Sequence, residues 1–336
     1  MKIKNRLHLI GCVIACALVL ASVRPSWAQE KKTIRMVFVS LAWNSELPFR
    51  AALTRGFFRA QGLQVEPILI RGGPAAIAAL ASGEVDFASI GGAQAVFHSK
   101  ARGLDLSIIG CISNTTNYIL LGNKQTHTIE DLKGKSVGVT GAGTYSEFAV
   151  RAFLKKYNID PAKDVMLRAI GGTVLRAAAL EKGIIAAAPF STEDAVRLMR
   201  GGYSLISSMN ESLGIPQNII VTRNEVLEKF PETSKRVLKA YIMGIQLAKF
   251  NKREAIKAGY DSGLQGDPDI VGAAWDLYAP GLTADLSIAV PGIQQMLDED
   301  IRSGVVDSKF TVDRVINDRI LKIAQQELKA EGKLKQ

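Results

Sequence analysis

At 336 residues and 47% hydrophobic content, the chain is long enough to bury a sizeable core and to form two domains. Its formal charge of +10 is spread without a Lys/Arg block, and aromatic residues are not interleaved with basic ones. That pattern excludes a nucleic-acid reader and leaves a basic surface that suits anionic small molecules, a membrane-proximal partner or plain solvation.

The N-terminus reads as a cleaved signal peptide over residues 1–28: a basic start (Lys2, Lys4, Arg6), the apolar run "LHLIGCVIACALVLA", and small residues at Ser26 and Ala28. A lipid anchor at Cys16, after "VIAC", is the competing reading, and the apolar run continuing past Cys16 argues against it. Cleavage leaves a formal charge of +6 and a single cysteine, Cys111, so no intrachain disulfide forms. No later stretch has the length and apolarity of a membrane span, so the expected location is the periplasm.

"TIRMVFVS" predicts a strand buried on both faces, and "LPFRAALTRGFFRAQG" a helix with Pro48 in its first turn and Gly62 at its end. "LQVEPILI" is a strand, "AAIAALASG" a helix closed by Gly83, and "VDFASIGG" a strand again, an alternation that implies parallel βαβ units. About 100 residues later the unit returns. Gly72, Ala78, Ala79, Leu80, Gly83 and Ala88 match Gly172, Ala178, Ala179, Leu180, Gly183 and Ala188 at one offset. Two short apolar stretches, 117–123 and 217–223, bracket the second copy as crossings. The expected division is residues 33–116 plus 220–330 in one lobe and 117–219 in the other. Further on, Val237, Leu238, Tyr241, Ile242, Ile245 and Ala248 share one helical face, and the remaining tail reads as helix covering the first lobe.

"KSVGVTGAGTYSEF" invites a nucleotide-binding reading, but Ser146 stands where the third glycine of G-x-G-x-x-G belongs, and the next strand, "VMLRAI", ends in Gly171–Gly172 without the ribose-binding acid. "GKS" at 134–136 precedes its strand and lacks the first P-loop glycine. What survives is a helix start at Thr144, Tyr145 and Ser146, able to receive an anion on its free N–H groups; Thr144 or Ser146 acting as a simple helix cap is the plainer alternative. His98 and His127 sit in no catalytic or metal-binding pattern, and Asp298, Glu299 and Asp300 read as solvated surface. The expectation is binding without turnover and without a cofactor.

In open parallel sheets a ligand lies beyond the carboxyl ends of the strands. Those ends carry Leu41, Ala42 and Trp43; Arg71, Gly72, Gly73 and Pro74; Gly91, Gly92, Ala93 and Gln94; Gly141, Gly143, Thr144, Tyr145 and Ser146; and Pro189, Phe190 and Ser191. Trp43 and Phe190 could stack on a planar group, with core packing as the alternative, and Gln94, Thr144 and Ser146 could hydrogen-bond.

Four segments in this order, "GFFRAQGLQVEPILIRGGPAAIAALASGEVDFASIGG", "IEDLKGKSVGVTGAGTYSEF", "NIDPAKDVMLRAIGG" and "FPETSKRVLKAYIMGI", resemble type 2 periplasmic solute-binding proteins of ABC importers. The resemblance is to the branch of sulfonate, nitrate, taurine and thiamine-pyrimidine-precursor binders. It implies an α/β fold of two lobes, each a mainly parallel sheet flanked by helices, joined by two hinge strands and closing on a small-molecule ligand. It further implies a monomer that docks on a membrane permease with a cytoplasmic ATPase. Relatives place Ser or Thr where Thr144 and Ser146 stand. The chain departs from them in lacking an acid at Gly91–Gly92 and in carrying "AAAPFS" where many have "D-x-W" or "S-P-P". Two alternatives share the resemblance: a pyrimidine-synthase-like enzyme, whose cysteine-rich motif is missing, and the ligand-binding subunit of a sensor.

Overall fold

The computed structural model describes residues 30–209 and 213–335. The segment read as a signal peptide, with Cys16, lies outside the described residues. Among the described residues, ten strands form two five-stranded sheets. The first has the order β2-β1-β3-β10-β4, from Thr33–Phe38 (β1), Gln64–Leu69 (β2), Phe87–Gly91 (β3), Leu106–Ser113 (β4) and Asn218–Arg223 (β10). The second has the order β7-β6-β8-β5-β9, from Ile119–Gly122 (β5), Ser136–Val139 (β6), Met166–Ala169 (β7), Ala187–Phe190 (β8) and Ser204–Ser208 (β9).

Both sheets follow one diagram. A central strand pairs parallel with two neighbours, and one strand arriving from the other half of the chain inserts antiparallel beside the third. β5 and β10 are those inserted strands, so the chain passes between sheets over residues 114–118 and again before 218. This is the two-lobed α/β architecture of type 2 periplasmic binding proteins.

Local chemistry explains the pieces. β4 is buried at all eight positions, its apolar Ile108, Ile109, Cys111 and Ile112 along with Ser107 and Ser113. β2 lies at a sheet edge, where Pro67 costs no ladder bond, and its outer positions are solvated. The repeated helices Gly73–Ala81 and Thr173–Glu181 both give way to a glycine in the left-handed region, Gly83 and Gly183. The predicted face of helix Pro231–Phe250 is buried as a whole, from Val237 to Ala248.

Three sequence expectations are corrected. Pro48 is the sixth residue of helix Trp43–Thr54 rather than part of its first turn. The helix starts earlier because the Trp43 indole is held in the core, donating to the Gln265 carbonyl at 2.9 Å. The tail does not cover the first lobe alone. Helix Arg319–Ala330 packs there, but helix Pro268–Tyr278 lies against helix Thr192–Arg200 of the second lobe, and Lys155 of the second lobe pairs with Glu299. The acidic run is likewise not all solvated surface: Asp300 is buried and meets His98 at 2.9 Å.

Candidate functional site

The carboxyl ends of the strands from both sheets meet around a cavity of about 580 Å³. From the first lobe, the turn after β1 brings Val39 to Ala42, and the turn after β2 brings Arg71 to Gly73. From the second, the turn after β6 brings Thr140, Thr144, Tyr145 and Ser146; the turn after β7 brings Gly172 to Arg176. Ser191, Glu193 and Asp194 follow β8, and the crossings add Tyr118, Gln217 and Asn218.

The turn before helix Tyr145–Lys156 is organised by its hydroxyls. Ser146 Oγ accepts the Thr140 N–H at 2.8 Å, and Thr144 Oγ1 donates to the Gly141 carbonyl at 2.7 Å and lies 3.1 Å from Ser146 Oγ. Thr144 occupies the N-cap position, yet its side chain makes no cap hydrogen bond. The simple cap is therefore not what these residues do; they lock the turn and leave the first N–H groups of the helix to other partners.

The strongest electrostatic feature is Arg176. It is 1% exposed, and its Nη1 donates to Thr140 Oγ1 at 2.6 Å and to the Gly171 carbonyl at 3.1 Å, with the Tyr118 hydroxyl beside it. Its Nε has no acceptor among the described residues. Asp194, the acid whose charge it feels, faces Arg197 at 3.5 Å and accepts the Ser191 hydroxyl at 2.9 Å, and no ion pair among the described residues includes Arg176. Burial pulls the guanidinium below its ordinary range. A cation that has left water without a carboxylate partner is a strong demand for an anion.

Around this pole the wall is apolar: Leu41, Val174 and Leu175 line the cavity although 48%, 78% and 59% exposed. On another wall, burial and then the neighbouring Asp194 push Glu193 up to about 7.

Of the residues expected at the site, Leu41, Ala42, Arg71, Gly72, Gly73, Gly91, Thr144, Tyr145, Ser146 and Ser191 line the cavity. The others lie off it. Trp43 is buried edge-on to Tyr260, with ring centroids 4.9 Å apart. Phe190 sits in the core of the second lobe beside Pro189 of the same strand. Gly92, at φ +68°, lets the Tyr145 ring pack on the first lobe: a Cβ there would stand 2.4 Å from Tyr145 Cδ2. Ala93 and Gln94 are buried at the start of the next helix, with both amide atoms of Gln94 unpartnered. Gly141 and Gly143 shape the Thr144 turn from outside the lining, and Pro74 faces Gly143 across the rim. Sequence reasoning missed Arg176, Tyr118, Thr140, Glu193 and Asp194. Arg176 had a signal: the 100-residue offset matches it to Ala76, a core position of the first copy.

Duplicated sheets that face one ligand-sized cavity are the arrangement of the two-lobed type 2 periplasmic-binding-protein fold. A family model described as "NMT1/THI5 like" matches residues 43–255, and the chain belongs to that family. It is similar to YtlA of Bacillus subtilis (strain 168), whose name assigns it a binding role, at 23% identity over 74% of this chain and 77% of that one. It is also similar to the 4-amino-5-hydroxymethyl-2-methylpyrimidine phosphate synthase of Schizosaccharomyces pombe (strain 972), at 30% identity but over only 36% of this chain and 35% of the synthase. Among solved structures, the alkanesulfonate-binding protein SsuA of Xanthomonas axonopodis pv. citri bound to MOPS superposes with a TM-score of 0.71 at 18% identity, covering 88% of this chain and 98% of that one. At that identity the likeness is one of fold.

Proposed function

We propose that the chain is an exported, monomeric receptor that captures one small organic anion between its lobes and delivers it to an ABC permease with a cytoplasmic ATPase. The lobes are residues 33–116 plus 220–330 and residues 117–219, closing by hinge motion about positions near 117 and 219. The observation that carries this reading is the buried Arg176 guanidinium on the cavity wall with no carboxylate partner. A cavity of about 580 Å³ with an apolar rim suits an organic molecule better than a bare inorganic ion. The binding-protein relative, and the periplasmic binding proteins among the structures that share the fold, support both the role and the compartment.

The enzyme reading has less support. The synthase matches over about a third of its length. Cys111, the sole cysteine among the described residues, is buried away from the cavity, and burial pushes its thiol up to about 12. A thermal-shift screen of residues 29–336, after ligand is stripped by partial unfolding, tests the proposal. The panel holds sulfonates, aliphatic and aromatic carboxylates, nitrate, amino acids and pyrimidines. At about a thousand times Kd, a true ligand adds roughly 4 kcal/mol, a rise of several degrees. Hits confined to organic anions, with compaction in small-angle scattering, are expected. A neutral pyrimidine as the sole hit, or no compaction at saturation, would overturn it.

A further inference from the structure

Arg176 shares the cavity wall with a second guanidinium. Arg71 lines the same cavity from the first lobe, in the turn after edge strand β2. Its side chain reaches across to the second lobe: a Cβ on Gly172 would stand 3.5 Å from Arg71 Nη1. Arg176 Nη1 donates to the carbonyl of the preceding residue, Gly171, at 3.1 Å. The Gly171–Gly172 turn is thus flanked by two guanidiniums, one from each lobe.

The two sit at different depths. Arg176 is 1% exposed, whereas Arg71 stands exposed at the mouth. Among the described residues, no ion pair or hydrogen bond includes the Arg71 side chain. The acids of the cavity wall do not answer it. Asp194 is engaged by Arg197 at 3.5 Å and by the Ser191 hydroxyl at 2.9 Å. Glu193 turns to the far seam, where a Cβ on Gly266 would stand 3.3 Å from its Oε1. Two like charges brought to one turn repel each other, and negative charge on a ligand between the lobes cancels that repulsion. A single acidic group spent on the enclosed Arg176 leaves Arg71 unanswered.

We propose that the ligand is a dianion with two separate acidic groups, one seated on Arg176 in the interior and the other on Arg71 at the mouth. Arg71 is then the residue that selects a dianion over a monoanion. The proposal rests on the reading of this cavity as an organic-anion site. A volume of about 580 Å³ leaves room for a spacer between the two acids, and the apolar Leu41, Val174 and Leu175 suit a hydrocarbon one. The Arg71 contact is solvated, so its share of the affinity is smaller than that of Arg176.

Calorimetric titration at pH 8, where every ligand carboxyl is ionised, tests this with matched pairs. The probes are the straight-chain dicarboxylates from succinate to pimelate and the three benzenedicarboxylates, each beside its own monoamide, which keeps the shape and loses one charge. At the best-fitting spacing the diacid is expected to bind the parent about tenfold more tightly than its monoamide. Arg71→Gln should erase that preference by weakening the diacid alone, and Arg71→Lys should keep part of it. The Tm of the empty protein should be the same in all three, because the Arg71 side chain is exposed. Diacids that bind no more tightly than their monoamides, or a preference that survives Arg71→Gln, would overturn the proposal while leaving anion capture in place. No binding by any diacid would also overturn it, and the response of the parent to the monoanions of the thermal-shift screen then decides whether the receptor reading falls with it.

Discussion

Helices Gly73–Ala81 and Thr173–Glu181 occupy the same place in the two lobes, follow the second strand of each copy, and stop at equivalent glycines. Their first turns differ completely: Gly-Pro-Ala-Ala in one, Thr-Val-Leu-Arg in the other. Ala76 is buried as ordinary core, whereas Arg176 is buried with a charge that core packing has no use for. One copy keeps the frame and offers backbone to the cavity. The other sets a buried charge on the cavity wall, at a cost in stability.

The sharpest way to break this comparison is to exchange the residues. Ala76→Arg places a guanidinium where the neighbours are apolar, so loss of more than about 4 kcal/mol, or failure to fold, is expected in denaturant titration. Normal stability would mean the two positions are not equivalent. Arg176→Met should act oppositely on stability and function. Ligand affinity should fall by about 2–3 kcal/mol, roughly a hundredfold, while the Tm of the empty protein stays level or rises, because an unpaired buried charge is gone.

The contrast sharpens against a second buried charge, in the first lobe and away from the cavity. Both oxygens of Glu46 lack a hydrogen-bond partner among the described residues, and burial, only partly opposed by Arg50, pushes its carboxyl up to about 8. A raised value means the stability tied to its neutral form is complete below the unfolded value of 4.5 and is lost as pH rises through about 8. Glu46→Gln should therefore raise Tm at pH 9, by about 2–4 °C per kcal/mol recovered, with little change at pH 5. Parallel Tm curves would assign Glu46 a buried partner. Smaller effects belong to the Thr144 turn. Replacing Thr144 and Ser146 together by Ala should weaken binding by about 1–3 kcal/mol in calorimetry, since the hydroxyls hold the turn that carries the N–H groups.

Much of the frame was legible because it depends on local pattern. Strand-length apolar runs, glycine stops and the constant 100-residue offset foretold β1 to β3 and β6 to β8, with the helices between them. The start of helix Trp43–Thr54 was not legible, because the Trp43 indole is anchored 222 residues away. The tail was misread for the same reason: amphipathic helices declare which face they bury, not which lobe buries it. At the site, the turns that offer backbone were found by their glycines. The side chains at the cavity arrive from helix turns and crossings, where nothing in the immediate sequence sets Tyr118 or Glu193 apart. Trp43 and Phe190 looked available because strand ends in a cleft expose aromatics, but each is spent on packing.

The most direct test of the account is a paired calorimetric titration of the best organic anion from the screen, with its uncharged isostere, against the parent chain and Arg176→Met. The account predicts that the parent prefers the anion by about a hundredfold and that the substitution erases the preference, leaving the isostere unaffected. Equal affinity of parent and variant for the anion would contradict Arg176 as the anchor of the site.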